Sequence, residues 1–490
     1  MYLPEWVQGF KEPKTEIRLI KGTFYKYAVA YQYNSEKKRT DKITKQLLGK
    51  ITPESGFVPS DKYLLKEKAV QIPPVDIKTY GVFRLFKTFL SDDLESLQSL
   101  FSPDISQVLL SIAMMRFAHQ CPLKRIPRLH AHDFCSGEWA INGLNDKKIT
   151  AVLKLVGENR TILVDWMKNR LGISQTNISN FVMIDSTHIP TLSENLHINA
   201  KGYNPKHSYD TQIRLMYIFS AEIKQPVYYR LINGNITDVK SMKTCVEELN
   251  VQHVVFIADK GFYSKGNVAD LCSSSLHYII PLYRNNGLID FLPLQEANFK
   301  KTIKNYFSYQ NRIIWYYGYE KEGQQFTTYL DERLRVEEES DYLARIQTHP
   351  DKYTESDFFE KMHRFGTLTL TSHLPKKHTA QQLYEVYKQR NEIEIMFDAY
   401  KNFLEADKTY MQDRYVLEGW LMANFLAMIV YYRLYKALKE AQLLSKYSPK
   451  DIVELSKSIY QTKIRDQWHL SEITKNTTDL FKKINIDYLT

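Results

Sequence analysis

Cysteine is scarce in this sequence, and a long apolar run is absent. No Cys-x-x-Cys pair occurs, and the four cysteines are scattered over 490 residues, at Cys121, Cys135, Cys245 and Cys272. This usage excludes a disulfide framework and predicts a reduced, intracellular protein. The first ten residues lack the basic and apolar segments of a secretory signal. The most apolar run, 420–432, is short for a membrane span and predicts a buried helix, so we expect a cytoplasmic protein with no membrane partner.

Cysteine and histidine spacing also gives little support to a zinc site. Four of these residues are close in sequence, namely Cys121, His130, His132 and Cys135. Their spacing matches none of the usual zinc patterns, and a His-x-His pair is awkward for one tetrahedral ion. We therefore interpret them as ordinary thiols and surface histidines.

Positive charge, in contrast, is in excess. The formal net charge of +10 favours a polyanionic partner such as nucleic acid. Hydrophobic content of 43% and aromatic content of 13% are typical of a globular protein. A chain of 490 residues is too long for one ordinary core, so we expect about two to four domains.

Shifts in composition divide the chain into segments. Residues 1–70 hold fourteen Lys and Arg against eight Asp and Glu, and they predict a basic β-hairpin module that contacts DNA. The alternative is a small β domain with solvated lysines. The later segments are a helical N-terminal module (76–175), the first part of an α/β core (176–285), a β-rich insertion subdomain (286–365), the end of the core with a glutamate-bearing helix (366–440) and a C-terminal helical region (441–490).

Short apolar strands begin after residue 176. The strand Phe181–Ile184 leads into Asp185, and the buried strand Val254–Ala258 leads into Asp259. The predicted element order is β-β-β-α-β-α-β, with carboxylates at the ends of the first and fourth strands. This is the order of the ribonuclease-H-like core. The predicted fold class is therefore α/β, a ribonuclease-H-like catalytic core with a β-rich insertion, preceded by a small β module and a helical module.

Residues 387–401 contain neither glycine nor proline and predict one continuous helix. At about 100° per residue, Tyr387, Arg390, Glu394 and Lys401 fall on one narrow stripe. The stripe places a carboxylate between groups that bind phosphate. The alternative interpretation is i,i+4 salt bridging on an exposed helix face.

Three carboxylates are thus candidate ligands of one metal site. Asp185, Asp259 and Glu394 offer hard oxygen ligands, which suit Mg²⁺ or Mn²⁺. Two such ions can activate a water or a 3′-hydroxyl and stabilise the leaving oxygen in an in-line displacement at phosphorus. Alternatively, Asp185 caps a turn and Asp259 is an ordinary strand-end residue. Asp398 lies about 40° off the stripe and is a second-choice ligand, whereas Glu392 points towards the apolar side.

These residues carry a resemblance to a known family. Asp259-Lys-Gly-Phe-Tyr263 fits a D-x-G-x-[YF] pattern, and Tyr387-x2-Arg390-x3-Glu394-x6-Lys401 fits the Y-x2-R-x3-E-x6-K signature in full. With Asp185 upstream, residues 180–435 resemble the DDE transposases of bacterial insertion sequences, of the family-four type. The β-rich stretch between the second aspartate and the glutamate is part of this resemblance.

The resemblance implies a metal-dependent DNA reaction. Asp185, Asp259 and Glu394 would bind two Mg²⁺ or Mn²⁺ ions. The reaction would be cut-and-paste transposition: nicking at the element ends, attack by the 3′-hydroxyl through a hairpin, then strand transfer. The implied partners are double-stranded DNA, as terminal inverted repeats and target, and a second copy of the chain on paired ends. The implied location is the bacterial nucleoid.

The resemblance also assigns DNA contacts. Tyr387, Arg390 and Lys401 would hold phosphates near the cleaved bond, and Trp315 would stack on a base flipped out at the element end. A tryptophan packed within its hairpin is the alternative for Trp315. His188 as a water-orienting group and Lys201–His207 as a DNA contact are weaker hypotheses.

Two other functions remain open at this point. A ribonuclease-H-like nuclease would cut DNA without strand transfer. A non-catalytic DNA-binding protein derived from a transposase would bind without cutting, although the intact acids argue against it. Any of these proteins should bind DNA in a salt-sensitive way, because Lys and Arg contacts release condensed counterions.

Overall fold

The structure, a computed structural model, describes residues 3–34, 37–64, 75–171, 180–201, 211–233, 238–249, 254–296, 298–464 and 466–488. The chain divides into two units. The smaller contains Met1–Ile77 with Thr462–His469, and the larger contains Lys78–Gln461 with Leu470–Thr490.

The smaller unit contains a four-stranded antiparallel sheet whose strands follow one another in chain order. The short helix α1 (Glu5–Gln8) precedes the strands β1 (Thr15–Ile20), β2 (Thr23–Asn34), β3 (Arg39–Thr52) and β4 (Gly56–Pro59). The predicted β2–β3 hairpin is confirmed, and two further strands extend it. One of its lysines is structural, because the buried Lys26 ammonium pairs with Glu12 at 2.8 Å.

The other strands lie in two sheets. In chain order they are β5 (Val75–Thr79), β6 (Asn180–Pro190), β7 (Ala200–Lys201), β8 (Thr211–Ser220), β9 (Gln225–Asn233), β10 (Val254–Ile257), β11 (His277–Pro281), β12 (Asn305–Tyr309), β13 (Arg312–Lys321), β14 (Gln324–Asp331), β15 (Thr367–His373), β16 (Tyr460–Ile464) and β17 (Gln467–Leu470). Strands β17, β16 and β5 form a small sheet in that order.

The main sheet is mixed and has ten strands among the described residues. Its order is β12-β13-β14-β15-β11-β10-β6-β8-β7, and β9 also pairs with β8. Strands β6, β10 and β11 are mutually parallel, whereas the remaining pairs are antiparallel. The element order predicted for residues 176–285 is confirmed, with the short β7 added. The protein is therefore a mixed α/β structure.

The β-rich insertion continues this same sheet. Strand β14 pairs with β15 from Gln325↔Ser372 to Leu330↔Thr367, and β15 pairs with β11 of the core. The strands of the insertion therefore share hydrogen bonds with the core, and helices follow them in the chain.

Helices pack on the sheet and on one another and form a helical layer. In chain order they are α2 (Gly81–Ser99), α3 (Pro103–His119), α4 (Ile126–Ala131), α5 (Cys135–Glu138), α6 (Asp146–Glu158), α7 (Arg160–Arg170), α8 (Asp238–Leu249), α9 (Lys265–Ser273), α10 (Leu292–Gln295), α11 (Phe299–Thr302), α12 (Glu332–Thr348), α13 (Glu355–Lys361), α14 (Ala380–Lys388), α15 (Asn391–Asp398), α16 (Arg414–Glu440), α17 (Pro449–Lys457) and α18 (Lys475–Lys483). The helical character predicted for residues 76–175 is confirmed, with α2, α3, α6 and α7 as its longer helices.

Helix α16 lies at the centre of the helical layer. Within the described ranges it is the helix long and apolar enough to cross a membrane, but 89% of its most apolar window is buried inside the protein. The predicted buried helix at 420–432 is thus confirmed. It contacts α6 backbone to backbone, because a Cβ on Gly419 would lie 2.0 Å from the carbonyl oxygen of Leu153.

The prediction that residues 441–490 are wholly helical is wrong. Strands β16 and β17 lie between α17 and α18. Aromatic and β-branched residues at Tyr460, Thr462, Ile464 and Trp468 favour these strands.

Candidate active site

Asp185 and Asp259 lie side by side because two parallel strands are in register. Met183 on β6 pairs with Ile257 on β10 at the end of their ladder. Each aspartate follows two residues later, so the two carboxylates lie at the same level beyond the ladder. The Ser186 N–H donates to Asp185 Oδ1 at 2.8 Å, which leaves Oδ2 to face the site.

The prediction that the first strand ends at Asp185 is wrong. Strand β6 continues to Pro190, because Asp185 and the residues after it pair with β8, from Asp185↔Tyr217 to Pro190↔Gln212. Among the described residues, β10 does not extend alongside this part of β6. Asp185 therefore lies inside a strand, at the level where the shorter β10 has already ended. Asp259 follows its strand as predicted.

The helix carrying Glu394 is interrupted, contrary to the predicted continuous helix. Between α14 and α15 the Arg390 N–H donates to the Tyr387 carbonyl at 3.0 Å, and the Ile393 N–H donates to the Arg390 carbonyl at 3.0 Å. These i→i−3 bonds tighten the turn. After α15 the chain widens into a π-helical turn, Ala399–Phe403. Arg390 and Glu394 therefore lie on the same side of the helix, as the calculated stripe requires. Lys401 lies in the wider turn, where the calculated angle of about 100° per residue no longer applies.

One arginine joins all three predicted carboxylates. Arg390 Nη1 lies 2.7 Å from Glu394 Oε1, and Nη2 lies 3.4 Å from Asp185 Oδ2 and 3.7 Å from Asp259 Oδ1. The Arg390 side chain is 13% exposed, whereas that of Glu394 is 56% exposed. The structure thus brings together acids separated by more than 200 residues, around a cation that is largely buried and reachable from the Glu394 side.

The charges of the site shift the pKa values of Arg390 and Tyr387. Burial alone would lower the pKa of Arg390, but Asp259, Asp185, Tyr387 and Glu394 raise it above its ordinary value. Burial raises the pKa of Tyr387 to about 12, an effect that Arg390 opposes and Asp259 and Glu394 reinforce. Arg390 therefore stays charged, and Tyr387 stays protonated and able to donate a hydrogen bond.

The donor set suits a hard divalent cation, although Arg390 now stands among the carboxylates. In the part of the chain that the structure describes, no group of three or more His, Cys, Asp or Glu side chains is close enough to hold a metal ion by itself. However, the three acids supply only oxygen donors and already face one shared cation. The single guanidinium offsets only one of the three negative charges, so the site keeps negative charge that divalent ions would neutralise.

The other predicted DNA contacts lie on different elements. Tyr387 lines a hollow of about 220 Å³ together with Arg390 and Arg284. Trp315 lies on β13, where its indole N–H donates to Glu332 Oε2 at 2.9 Å and its ring packs 5.1 Å from that of Tyr306.

The rival residues have other partners. Glu392 accepts hydrogen bonds from Tyr432 and, at 2.8 Å, from Lys439, so it points away from the acids as predicted. Asp398 accepts a hydrogen bond from Asn402 at 2.5 Å. His188 Nε2 lies 2.9 Å from Arg214 Nη2 on the neighbouring strand.

The structure also describes the cysteines and histidines considered as zinc ligands, and the first residue of the stretch 201–207. Cys121, His130 and Cys135 are buried, and burial lowers the pKa of His130 to about 4. The interpretation of His130 as a surface histidine is therefore wrong, whereas His132 is exposed. Of the stretch Lys201–His207, all but its first residue lies outside the described residues.

Lys388 and Gln389 lie at the tightened turn and were not predicted from the sequence. On a continuous helix Lys388 falls about 100° from Tyr387 and therefore outside the stripe. The only signal was its position two residues before the arginine of the signature.

Carboxylates gathered on a mixed sheet beside an arginine supply ligands for the metal ions of phosphoryl transfer and a group that binds phosphate. The model of the family described as Transposase DDE domain matches residues 177–430, more than half of the chain. The chain belongs to this family: it is a DDE transposase, an enzyme of DNA transposition. The predicted DDE transposase and its function in DNA transposition are thereby confirmed, whereas the family-four type stays a prediction.

The cryo-EM structure of a piggyBac transposase synaptic complex with hairpin DNA is similar, with a TM-score of 0.37 and 11% sequence identity. The similarity covers 77% of this chain and 79% of that chain. No curated protein matches the sequence.

Proposed function

We propose that this transposase is of the family-four type and that Asp185, Asp259 and Glu394 are its catalytic carboxylates. The observation that carries the proposal is the convergence of all three on the Arg390 guanidinium, within 3.7 Å. The strand order β9-β8-β6-β10-β11, with only the last three parallel, supports a ribonuclease-H-like core. The complete Y-x2-R-x3-E-x6-K signature supports the family-four assignment.

The three carboxylates would hold two divalent cations, Mg²⁺ or Mn²⁺. When bound, these ions would activate the attacking water or 3′-hydroxyl and stabilise the leaving oxygen at phosphorus. Asp185 and Asp259 are fixed by the sheet, and the Ser186 N–H orients the Asp185 carboxylate. Glu394 is the most exposed of the three and completes the set from the helix.

Arg390 and Tyr387 would bind the DNA backbone beside the cleaved bond. In the metal-free protein Arg390 offsets part of the charge of the three acids, and its planar guanidinium matches two phosphate oxygens once divalent cations bind the carboxylates. Tyr387 keeps its proton because burial raises its pKa to about 12, so it donates to a phosphate and does not repel it. Lys401 would add a further phosphate contact.

Trp315 would stack on a flipped base only after local rearrangement. Its indole N–H is bound to Glu332, and Tyr306, which is 60% exposed, packs against its ring. Tyr306 would have to move aside, and the stacking would contribute about 1–3 kcal/mol.

The proposed reaction is cut-and-paste transposition on double-stranded DNA in the bacterial nucleoid. Cleavage at the terminal inverted repeats, hairpin formation and strand transfer would be catalysed by a homodimer on paired ends.

A strand-cleavage assay tests the assignment. Labelled DNA carrying the element's own end is incubated with Mg²⁺ and either wild type or Glu394→Gln, with one end and with paired ends. We expect wild type to nick the end or form a hairpin, and Glu394→Gln to bind without cutting. Cutting without joining to target DNA would indicate a nuclease. Binding without cutting by both proteins on paired ends would indicate a non-catalytic DNA-binding protein.

A further inference from the structure

A second cationic cleft lies on the other side of the tightened turn from the acids. The cleft has a volume of about 490 Å³, and its lining includes Lys224 from the β8–β9 turn, Arg312 from β13, Lys388 and Gln389 from the turn, and Lys439 from α16. We call it the lysine cleft. Elements distant in sequence therefore bring four cations to one cavity.

Two of the four cations are already balanced. Arg312 pairs with Asp331 at 3.0 Å, and Lys439 pairs with Glu392 at 2.8 Å. Lys224 and Lys388 make no ion pair with any residue that the structure describes. The lysine cleft thus carries an uncompensated charge of two lysines, which suits an anion.

Lys388 is the more informative of the two lysines. Its ammonium lies 5.1 Å from the centre of the Tyr384 ring. Burial lowers its pKa, an effect that the charge of Asp331 opposes and that of Arg312 reinforces. A partly buried ammonium without a carboxylate partner gains most from an anion that replaces its lost hydration.

The lining also offers a group suited to a nucleotide. The buried Gln389 Oε1 has no hydrogen-bond partner among the described residues. A phosphodiester carries no proton to donate to it, whereas the amino and imino groups of a base can donate. A DNA strand supplies a phosphate and these donors together.

The lysine cleft and the hollow beside the acids meet at the turn. Lys388 and Asn391 line both cavities, and Arg390 lines the hollow. A strand held by Arg390 can therefore continue past Lys388 without crossing the body of the helix. We propose that the lysine cleft binds a phosphodiester of the DNA strand that continues beyond the cleaved bond, with Lys388 and Lys224 as its ligands. This inference rests on the proposed function, because it places a second DNA contact next to the same site.

The test measures DNA binding without catalysis. The double variant Lys224→Gln/Lys388→Gln and wild type are titrated in EDTA, over a range of salt, against a fluorescent duplex of mixed sequence and its single strand. We expect the slope of log K against log salt to fall by about 0.9 per lost contact on the duplex, or about 0.7 on the single strand. The charge-preserving Lys224→Arg/Lys388→Arg variant should keep the wild-type slope.

Lys148→Gln is the matched control. Lys148 is a partly buried lysine whose charge is balanced by Asp104 at 2.6 Å, so its loss should leave the slope unchanged. A wild-type slope in the folded Gln double variant, or an equal fall in Lys148→Gln, would overturn the inference. If wild type binds and cleaves DNA but this slope does not change, only the lysine cleft assignment fails. If wild type does not bind DNA, the proposed function fails with it.

Discussion

Two charged clusters in the larger unit have opposite compositions. At the candidate site three carboxylates share the single cation Arg390. In the helical layer the single carboxylate of Asp93 is shared by two arginines, at 3.0 Å from Arg170 and 2.7 Å from Arg433. The first cluster has an excess of negative charge, and the second has an excess of positive charge.

The clusters also differ in how their remaining groups are satisfied. Arg170 and Arg433 donate to the backbone carbonyls of Pro226 and Phe89, and both donate to the Gln225 side-chain oxygen. Asp93 is 9% exposed, against 56% for Glu394. The Asp93 cluster is therefore saturated and closed, whereas the Arg390 cluster is unbalanced and open to solvent. Charge excess with access to solvent distinguishes a candidate site for ions from a structural ion pair.

Removing one acid from the open cluster should have the largest effect, and it should fall on chemistry. We expect Asp185→Asn or Glu394→Gln to reduce DNA cleavage by about 10³-fold or more, because each variant removes a ligand whose ions supply several kcal/mol to the transition state. Cleavage is measured per DNA-bound protein, and the unfolding midpoint is measured alongside. Cleavage within tenfold of wild type would contradict the assignment.

Removing the acid of the closed cluster should instead affect stability. We expect Asp93→Asn to lower the free energy of unfolding by about 3 kcal/mol, because two buried guanidinium groups lose their counter-charge. Urea denaturation measures this loss. The cleavage rate per folded molecule should match wild type, and a selective loss of cleavage would show that the cluster is not merely structural.

Divalent cations should separate the two clusters directly. We expect Mg²⁺, at about 100 times its dissociation constant, to stabilise wild type by about 2.7 kcal/mol relative to EDTA. Asp93→Asn should keep this increment and Asp185→Asn should lose most of it. Denaturation curves with and without Mg²⁺ give the comparison, and equal increments in both variants would place the ions elsewhere.

Arg390→Gln should have a smaller effect, lowering the stability of the metal-free protein and raising its affinity for divalent cations. Without metal, the variant should be destabilised by about 1 kcal/mol, because three partly exposed carboxylates lose a shared cation. Its affinity for Ca²⁺, measured by calorimetry, should rise because the guanidinium no longer competes. Weaker Ca²⁺ binding would mean that Arg390 holds the carboxylates in place for the ions.

Asp398→Asn should have the smallest effect. This acid is on the same helix as Glu394 but binds Asn402, so we expect cleavage to stay within about twofold of wild type. A loss like that of Glu394→Gln would restore Asp398 as a ligand.

The sequence allowed the acids and the arginine to be predicted because their spacing is local. Asp259 follows a short apolar strand, and Arg390 and Glu394 are one helical turn apart. The core order also followed from alternating strands and helices.

Tertiary features were beyond local patterns. Asp185 lies inside a strand because β6 goes on pairing with β8 after its ladder with β10 has ended, and this depends on strands distant in the chain. No glycine or proline marks the turn at Gln389 and Arg390. The Arg390 side chain at this turn is held by Asp185 on β6 and Asp259 after β10, which are far away in the sequence. The link between β14 and β15 is likewise a non-local pairing.

The pairing of β14 with β15 determines whether the insertion could be removed or exchanged between transposases. Residues 286–365 interrupt the core in the sequence, but their strand β14 is the hydrogen-bonded neighbour of β15 along six residue pairs. Excising the segment would leave β15 as a bare edge next to β11, prone to pairing with other chains. Shortening such a transposase or grafting its insertion onto a relative would therefore require a replacement strand, and a flexible loop joining the two cut ends would not suffice.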